Sequence, residues 1–405
     1  MPSRHGRPGS FVFPSVFLYK TRLNVLAAIA GVVTGASIGY CLLCVFAARR
    51  FAGEQQHSTP VLSELPAVSI LKPLKGSDPE MYESFRSHCV QDYRGYEILF
   101  GVHDQNDPAI ALVDRLKREF PDRDIHLVYC EKRLGANGKV SVLAQLAKIA
   151  KHEVLVVNDS DIRVAPGYLR TIVSELLKPD VGLVTCLYRG IPARTLGSRL
   201  ESLGISTDFV PGVLVAQQIE GGLSFGLGST LTLRRETLAA IGGFEVIADF
   251  LGDDYELGKR TTELGLKVKL STSTVETFLP AYDFSGFLLH QLRWARTIRA
   301  SRPAGYFGLV LTYTLSWGIL CLLLARGALW AWGFLALAVL MRLLVSIVTG
   351  VSVTRERRIW RGLWLLPLRD IMAVAVWIGG MWGRKIFWRG EEFILEGGRL
   401  RRAGD

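Results

Sequence analysis

Val154–Val164, VLVVNDSDIRV, is the stretch from which the fold is read. An apolar run, Val154 to Val157, ends abruptly in Asn158-Asp159-Ser160-Asp161. A short valine-rich run bounded by polar residues reads as a central strand of a parallel sheet, covered on both faces. On extended backbone Asp159 and Asp161 would point the same way. They would stand at the strand's carboxyl end, where open α/β sheets bind ligands. Two close carboxylates repel unless a cation sits between them, and a divalent cation, Mg2+ or Mn2+, holding a diphosphate is the expected partner. A solvated acidic turn is the plain alternative, and D-x-D alone does not choose between them.

Outward from this strand the chain alternates strand and helix. Val68–Leu71, Glu97–Val102 and Ile125–Tyr129 read as strands. Segments 79–91, 109–119 and 139–150 read as helices, the first opened by Asp78 as cap and Pro79. Residues 169–177 continue as helix and 181–187 as strand, then come a strand at 230–233 and a helix at 236–241, and later strands at 267–270 and 275–277. Units of this kind argue an α/β domain with a mostly parallel sheet over residues 66–283. Polar residues follow several strands: Asp104 after the second, and Gly135-Ala136-Asn137-Gly138-Lys139 before a helix, a plausible phosphate loop. Asp253 and Asp254 open a further helix, where acids also serve as ordinary dipole partners. The glycine-rich stretch 221–228 reads either as core or as a surface admitting an apolar acceptor.

Apolar excess is confined to the two ends of the 405 residues, which carry 49% hydrophobic residues and a net charge of +11. After a basic segment, 1–23, residues 24–48 are uncharged and long enough to anchor the chain in a bilayer. Residues 284–303 read as a basic amphipathic helix at a membrane surface, containing His290-Gln291-Leu292-Arg293-Trp294. A transmembrane hairpin is expected over 306–353, turning at Arg326, with Arg342 facing protein interior or snorkelling. Residues 363–382, interrupted by Arg369 and Asp370, read as a re-entrant, interfacial or third C-terminal span, and 383–405 as a basic tail. Basic residues beside apolar segments favour the lipid bilayer and exclude nucleic acid as the expected partner. The six scattered cysteines imply no disulfide framework, and Cys41-x-x-Cys44 reads as packing.

The blocks ILKPLKG, HDQNDPAI, GANGKV, NDSDIRV, LVTCLYRG, IGGF, DDYELG and HQLRW occur in an order that resembles the membrane glycosyltransferases of GT-A fold. The resemblance is closest to the ceramide glucosyltransferase family, glycosyltransferase family 21, including its bacterial branch acting on hopanoids. It implies that Asp104 and Lys139 contact the nucleotide, that Asp161 with Asp159 binds the metal, and that Asp254 is the catalytic base. It also implies that Arg293 lies near the diphosphate, with Trp294 and Asp253 on the acceptor side. His290 departs from the Gln or Arg of the family's Q/R-x-x-R-W motif, and Ser141-Val142 replaces a polar pair. The implied reaction is metal-dependent, inverting transfer from a UDP-sugar donor to a membrane-lipid acceptor hydroxyl. N-acetylglucosamine onto a bacteriohopanetetrol-type hopanoid is the first expectation, and ceramide glucosyltransferase action with UDP-glucose the alternative. Nucleotide sugars are cytosolic, so the catalytic domain of a multi-pass integral membrane protein in a bacterial inner membrane is expected there. A processive polysaccharide synthase needs more spans than this chain offers. A non-catalytic membrane scaffold would not need Asp104, Asp161 and Asp254 intact.

Overall fold

Val154 to Val157 are all buried in a computed structural model that describes residues 14–56, 64–356 and 359–402. Residues 1–13 of the expected basic segment, together with Arg357, Arg358 and residues 403–405, lie outside the described residues. The strands of the main domain are β1 (Val68–Pro73), β2 (Tyr96–Val102), β3 (Asp124–Tyr129), β4 (Val154–Val157), β5 (Ile162–Arg163), β6 (Val181–Ile191), β7 (Leu231–Arg234) and β8 (Lys267–Phe278). They form one eight-stranded sheet in the order β3-β2-β1-β4-β7-β6-β8-β5. β3, β2, β1 and β4 run parallel, as do β6 and β8, while β7 is antiparallel to both of its neighbours and β5 to β8. The expected α/β fold with a mostly parallel, mixed sheet is thus present.

Period-two alternation divides the sheet's side chains between two apolar layers. Leu71, Leu99, Leu155 and Val157 face one layer, which includes helix Gly138–Ile149. Ile70, Ile98, Phe100 and Val156 face the other, under helices Met81–Cys89, Ala109–Glu119 and Tyr168–Leu176. The two strands read at 267–270 and 275–277 are one, β8, whose pairing with β6 is irregular between Thr185 and Leu187. Asp78 caps no helix. Helix Met81–Cys89 starts three residues later behind Glu80, and the Asp78 carboxylate is engaged elsewhere.

Among the described residues, three helical segments are long and apolar enough to cross a membrane: Leu23–Gln56, Leu329–Val353 and Leu363–Gly380. The first continues the apolar layer of the sheet, through Ile38, Cys41, Cys44 and Phe51, into contact with helix Val210–Ile219. Between them, Pro303–Thr312 and Thr314–Leu324 meet at a 57° bend. The 11 residues beyond that bend are about 16 Å of helix, short of a bilayer's hydrocarbon thickness. Arg342 faces protein interior, at 5% exposure, and does not snorkel. Arg369 and Asp370, read as interruptions, are buried beside it.

The tail is structured. β9 (Lys385–Trp388), β10 (Glu391–Glu396) and β11 (Arg399–Arg402) form an antiparallel sheet. Its alternating apolar residues Ile386, Phe393, Leu395 and Leu400 pack on Leu251 of the main domain. Charges alternate with these positions, so composition alone reads as a solvated basic tail.

Candidate functional site

The loops at the carboxyl ends of β1, β2 and β4 converge on one edge of the sheet. Asn158, fully buried, pins the end of β4: its amide donates to the Ser229 carbonyl at 2.8 Å, the Tyr168 hydroxyl at 2.9 Å and the Thr230 hydroxyl at 3.1 Å. The chain then turns, the Ile162 amide donating to the Asp159 carbonyl at 3.3 Å. Because of that turn the two carboxylates do not align as on an extended strand. Asp161 accepts the Thr277 hydroxyl of β8, while Asp159 reaches Lys139. Burial, then the nearby Asp159 charge, pushes the Asp161 carboxyl up to about 6.

Asn137 caps helix Gly138–Ile149, its side chain accepting from the Val140 amide at 3.2 Å. Lys139 in the first turn therefore points into the site, with its Nζ 2.8 Å from Asp159 Oδ1 and 3.0 Å from Asp253 Oδ2. Burial opposes the ammonium, but the Asp159 and Asp253 carboxylates outweigh it and raise its pKa. Asp253 and Asp254 begin helix Asp253–Glu263. Asp254 accepts the Tyr255 amide at 2.8 Å. Burial, then Asp253, pushes its carboxyl up to about 6, the range expected of a general base near neutral pH.

The glycine-rich stretch backs these acids. A methyl at Gly228 would stand 3.3 Å from Asp254 Oδ2 and 3.4 Å from Asp159 Oδ2, so the two carboxylates approach the same backbone atom. A methyl at Gly258 would overlap the Phe225–Gly226 backbone at 2.3 Å. Glycine at both ends of this contact lets the helix carrying Asp254 sit directly on the loop.

Helix Phe284–Ser301 borders the site with Arg293 and Trp294. The Arg293 guanidinium makes no ion pair or side-chain hydrogen bond with the described residues; burial lowers its pKa, with Tyr282 and Glu201 opposing. A partly buried arginine with unpaired donors is suited to an anion. Trp294 lies in an aromatic chain, 5.4 Å from His290 and 6.1 Å from Phe209, which is 4.9 Å from Tyr188. His290 stacks on Tyr282 and meets buried Glu201 at 3.2 Å, which gives the family-divergent position a partner. Asp104 follows β2 at the same sheet edge, exposed, with its side chain accepting the Asn106 amide at 2.8 Å.

Three residues beside these were not read from the sequence as site residues. Lys72, at the end of β1, is fully buried and donates to the Asp159 carbonyl at 3.0 Å. Burial lowers its pKa to about 7 against the pull of Asp161 and Asp159. A lysine within an apolar strand run was the available signal. Asp78 accepts the hydroxyl of Ser160, the residue between the two aspartates. Arg389, in the turn between β9 and β10, pairs with Asp78. No local pattern announces either contact, since each spans more than eighty residues.

Oxygen donors alone, with carboxylates in excess over ammonium groups, fit a hard divalent cation such as Mg2+ or Mn2+. Among the described residues, ligand atoms of three carboxylate or imidazole side chains lie within 4.8 Å of one another at Glu97, Asp124 and His126 instead, at the amino-terminal ends of β2 and β3. There the Lys151 ammonium lies 2.7 Å from Asp124 and 3.7 Å from Glu97, so the position already holds a cation.

The mixed sheet with these strand-end loops has the GT-A fold of nucleotide-sugar transferases. A mannosyltransferase from Pyrobaculum calidifontis, solved with GDP-Man and Mn2+, has the same fold at a TM-score of 0.53 and 20% identity, over 88% of this chain and 99% of that one. The chain belongs to glycosyl transferase family 21, whose family model matches residues 29–400. Ceramide glucosyltransferase 3 of Caenorhabditis elegans is 25% identical over 72% of this chain, and Ceramide glucosyltransferase 1 of the same animal 25% identical over 59%. A ceramide glucosyltransferase of Komagataella phaffii is 32% identical over 30% of the chain and 25% of its own length. The matches span 64% and 51% of the two nematode proteins' lengths.

Proposed function

We propose that this glycosyltransferase moves a hexose or N-acetylhexosamine from a UDP-sugar to the hydroxyl of a membrane lipid, inverting the anomeric carbon. The observation that carries this reading is the approach of Asp254 and Asp159 to Gly228, with Lys139 bridging Asp159 to Asp253. A divalent cation on Asp161 and Asp159, when bound, would neutralise the leaving diphosphate. Lys139 and Arg293 supply further positive charge on that side, and Asp104 lies on the nucleotide side of the same edge. Asp254 takes the acceptor hydroxyl's proton as the oxygen attacks, a role that needs a carboxylate within hydrogen-bond reach. With one base and no second nucleophile assigned, direct displacement is the route.

Tyr188, Phe209 and Trp294 form an aromatic chain from the helix carrying Arg293 to the apolar layer shared with the first apolar helix, which supports an acceptor held in the bilayer. The helices are assigned as membrane spans with the catalytic domain in the cytosol, consistent with the supply of nucleotide sugars and with a bacterial inner membrane. Two acceptors are distinguished. The Leu187-Tyr188-Arg189-Gly190 and His290-x-x-Arg293-Trp294 variants favour a hopanoid receiving N-acetylglucosamine, whereas the names of the matched relatives favour ceramide receiving glucose. Mass spectrometry of lipids formed by purified protein with UDP-glucose or UDP-N-acetylglucosamine, offered bacteriohopanetetrol and ceramide, separates them. Sugar only on ceramide overturns the hopanoid assignment, and no glycolipid with either donor overturns the function.

A further inference from the structure

The C-terminal sheet touches three loops that build the donor side. Leu251 donates its amide to the Gly398 carbonyl at 3.1 Å, and Leu400 donates to the Asp249 carbonyl at 2.6 Å, just before Asp253. The Asp249 side chain in turn accepts the Ala136 amide at 2.9 Å, in the loop leading to Lys139. On the far side, Lys75 meets Glu391 at 2.9 Å in the segment after β1. Between these attachments lies the turn Arg389-Gly390, with Arg389 itself in the left-handed region at φ 49°. Its two terminal nitrogens donate to both oxygens of Asp78, at 3.0 and 3.2 Å. Asp78 accepts the Ser160 hydroxyl, and Ser160 separates Asp159 from Asp161.

We propose that the sheet spanning Lys385–Arg402 is a strap that sets the metal and diphosphate loop, with Arg389 as its positioning residue, acting through Asp78 on Ser160. The inference rests on the donor reading above. A two-pronged arginine–carboxylate contact fixes direction as well as distance. The Arg389 side chain is 40% exposed, and exposed pairs of this kind add little to stability. Its consequence therefore lies in where Ser160, and with it the two aspartates, are held. Groups that orient metal ligands from behind typically change metal affinity or activity about 10–100-fold when removed.

The test uses the purified full chain and reads Mn2+-dependent UDP binding beside steady-state kinetics. Arg389→Ala and Asp78→Asn are each expected to raise the Mn2+ concentration for half-saturation, and the donor KM, by about tenfold. The acceptor KM and the thermal midpoint stay near those of the unsubstituted protein. Arg389→Lys, which keeps the charge and loses the fork, falls between. The double variant Arg389→Ala with Asp78→Asn is no worse than Asp78→Asn alone, because both act along one chain of contacts. Mn2+ half-saturation and donor KM within twofold of the unsubstituted protein in Arg389→Ala, or multiplicative effects in the double variant, overturn the strap. If the unsubstituted protein binds no UDP with Mn2+, the donor reading fails and the strap with it. Binding that is present but indifferent to Arg389 removes the strap alone.

Discussion

Among the described residues, two of the buried clusters of charge are built on opposite principles. Among the apolar helices, Arg342 donates to both oxygens of Asp370 at 2.9 and 2.6 Å, to Asp208 at 2.7 Å and to the Thr207 carbonyl at 2.8 Å. Arg369 meets the other oxygen of Asp208 at 3.2 Å. Two guanidiniums thus face two carboxylates, and the charges cancel. At the sheet edge, Asp159, Asp161, Asp253 and Asp254 face Lys72 and Lys139, and counting Arg293 still leaves negative charge in surplus. Burial raises the carboxyls of Asp161 and Asp254, and the neighbouring carboxylates raise them further. A cancelled cluster holds helices together. A surplus one is suited to a cation, which is the physical basis for reading one set as structural and proposing the other as functional.

The contrast can be broken by substitution. Asp254→Asn removes the proposed base, so turnover should fall about 10²–10⁴-fold with the fold intact; a full rate in purified protein would remove Asp254 from the mechanism. Arg342→Ala strands Asp370 and leaves Asp208 with Arg369 alone. Such a loss typically costs about 3–5 kcal/mol, visible as poor folding or a lowered thermal midpoint in detergent. An unchanged midpoint would mean the cluster does not hold the helices.

A smaller effect follows from pH. Asp254 works as a base only when ionised, and its carboxyl lies at about 6. Activity should therefore be present above that value and fall by about tenfold per pH unit below it. A kcat/KM profile at saturating metal that stays flat down to pH 5 would contradict this ionisation. The smallest change should come from Arg342→Met with Asp370→Leu, which removes one whole pair and leaves Arg369 with Asp208. Apolar replacement of a complete buried pair is near neutral or stabilising, so the double variant should recover most of the midpoint lost in Arg342→Ala. Failure to recover would point to a specific role beyond charge cancellation.

The two clusters also differ in how much of each could be read from the chain. The end of β4 was legible because an apolar run and a polar stop are both local, and Asp159, Asp161, Lys139 and Asp254 stand together at one sheet edge. Their relative orientation was not, since the turn at Asp159–Asp161 is set by Asn158 reaching Ser229 and Thr230 across more than seventy residues. Arg369 and Asp370 looked like breaks in an apolar segment because their partners, Asp208 and Arg342, lie elsewhere in sequence. Asp78 looked like a helix cap because an acid before proline commonly is one; its tertiary partners, Ser160 and Arg389, took the carboxylate instead. The C-terminal sheet was hidden by composition, its four inward apolar residues diluted among arginines and glutamates.

The surplus of carboxylates is most directly tested by counting bound metal. Electron paramagnetic resonance of the purified full chain titrated with Mn2+ in the presence of UDP should show one tightly held ion per chain, lost in Asp161→Asn and kept in the Arg342→Met with Asp370→Leu variant. Equal Mn2+ retention by Asp161→Asn and the unsubstituted protein would contradict the assignment of this cluster as the metal and diphosphate site.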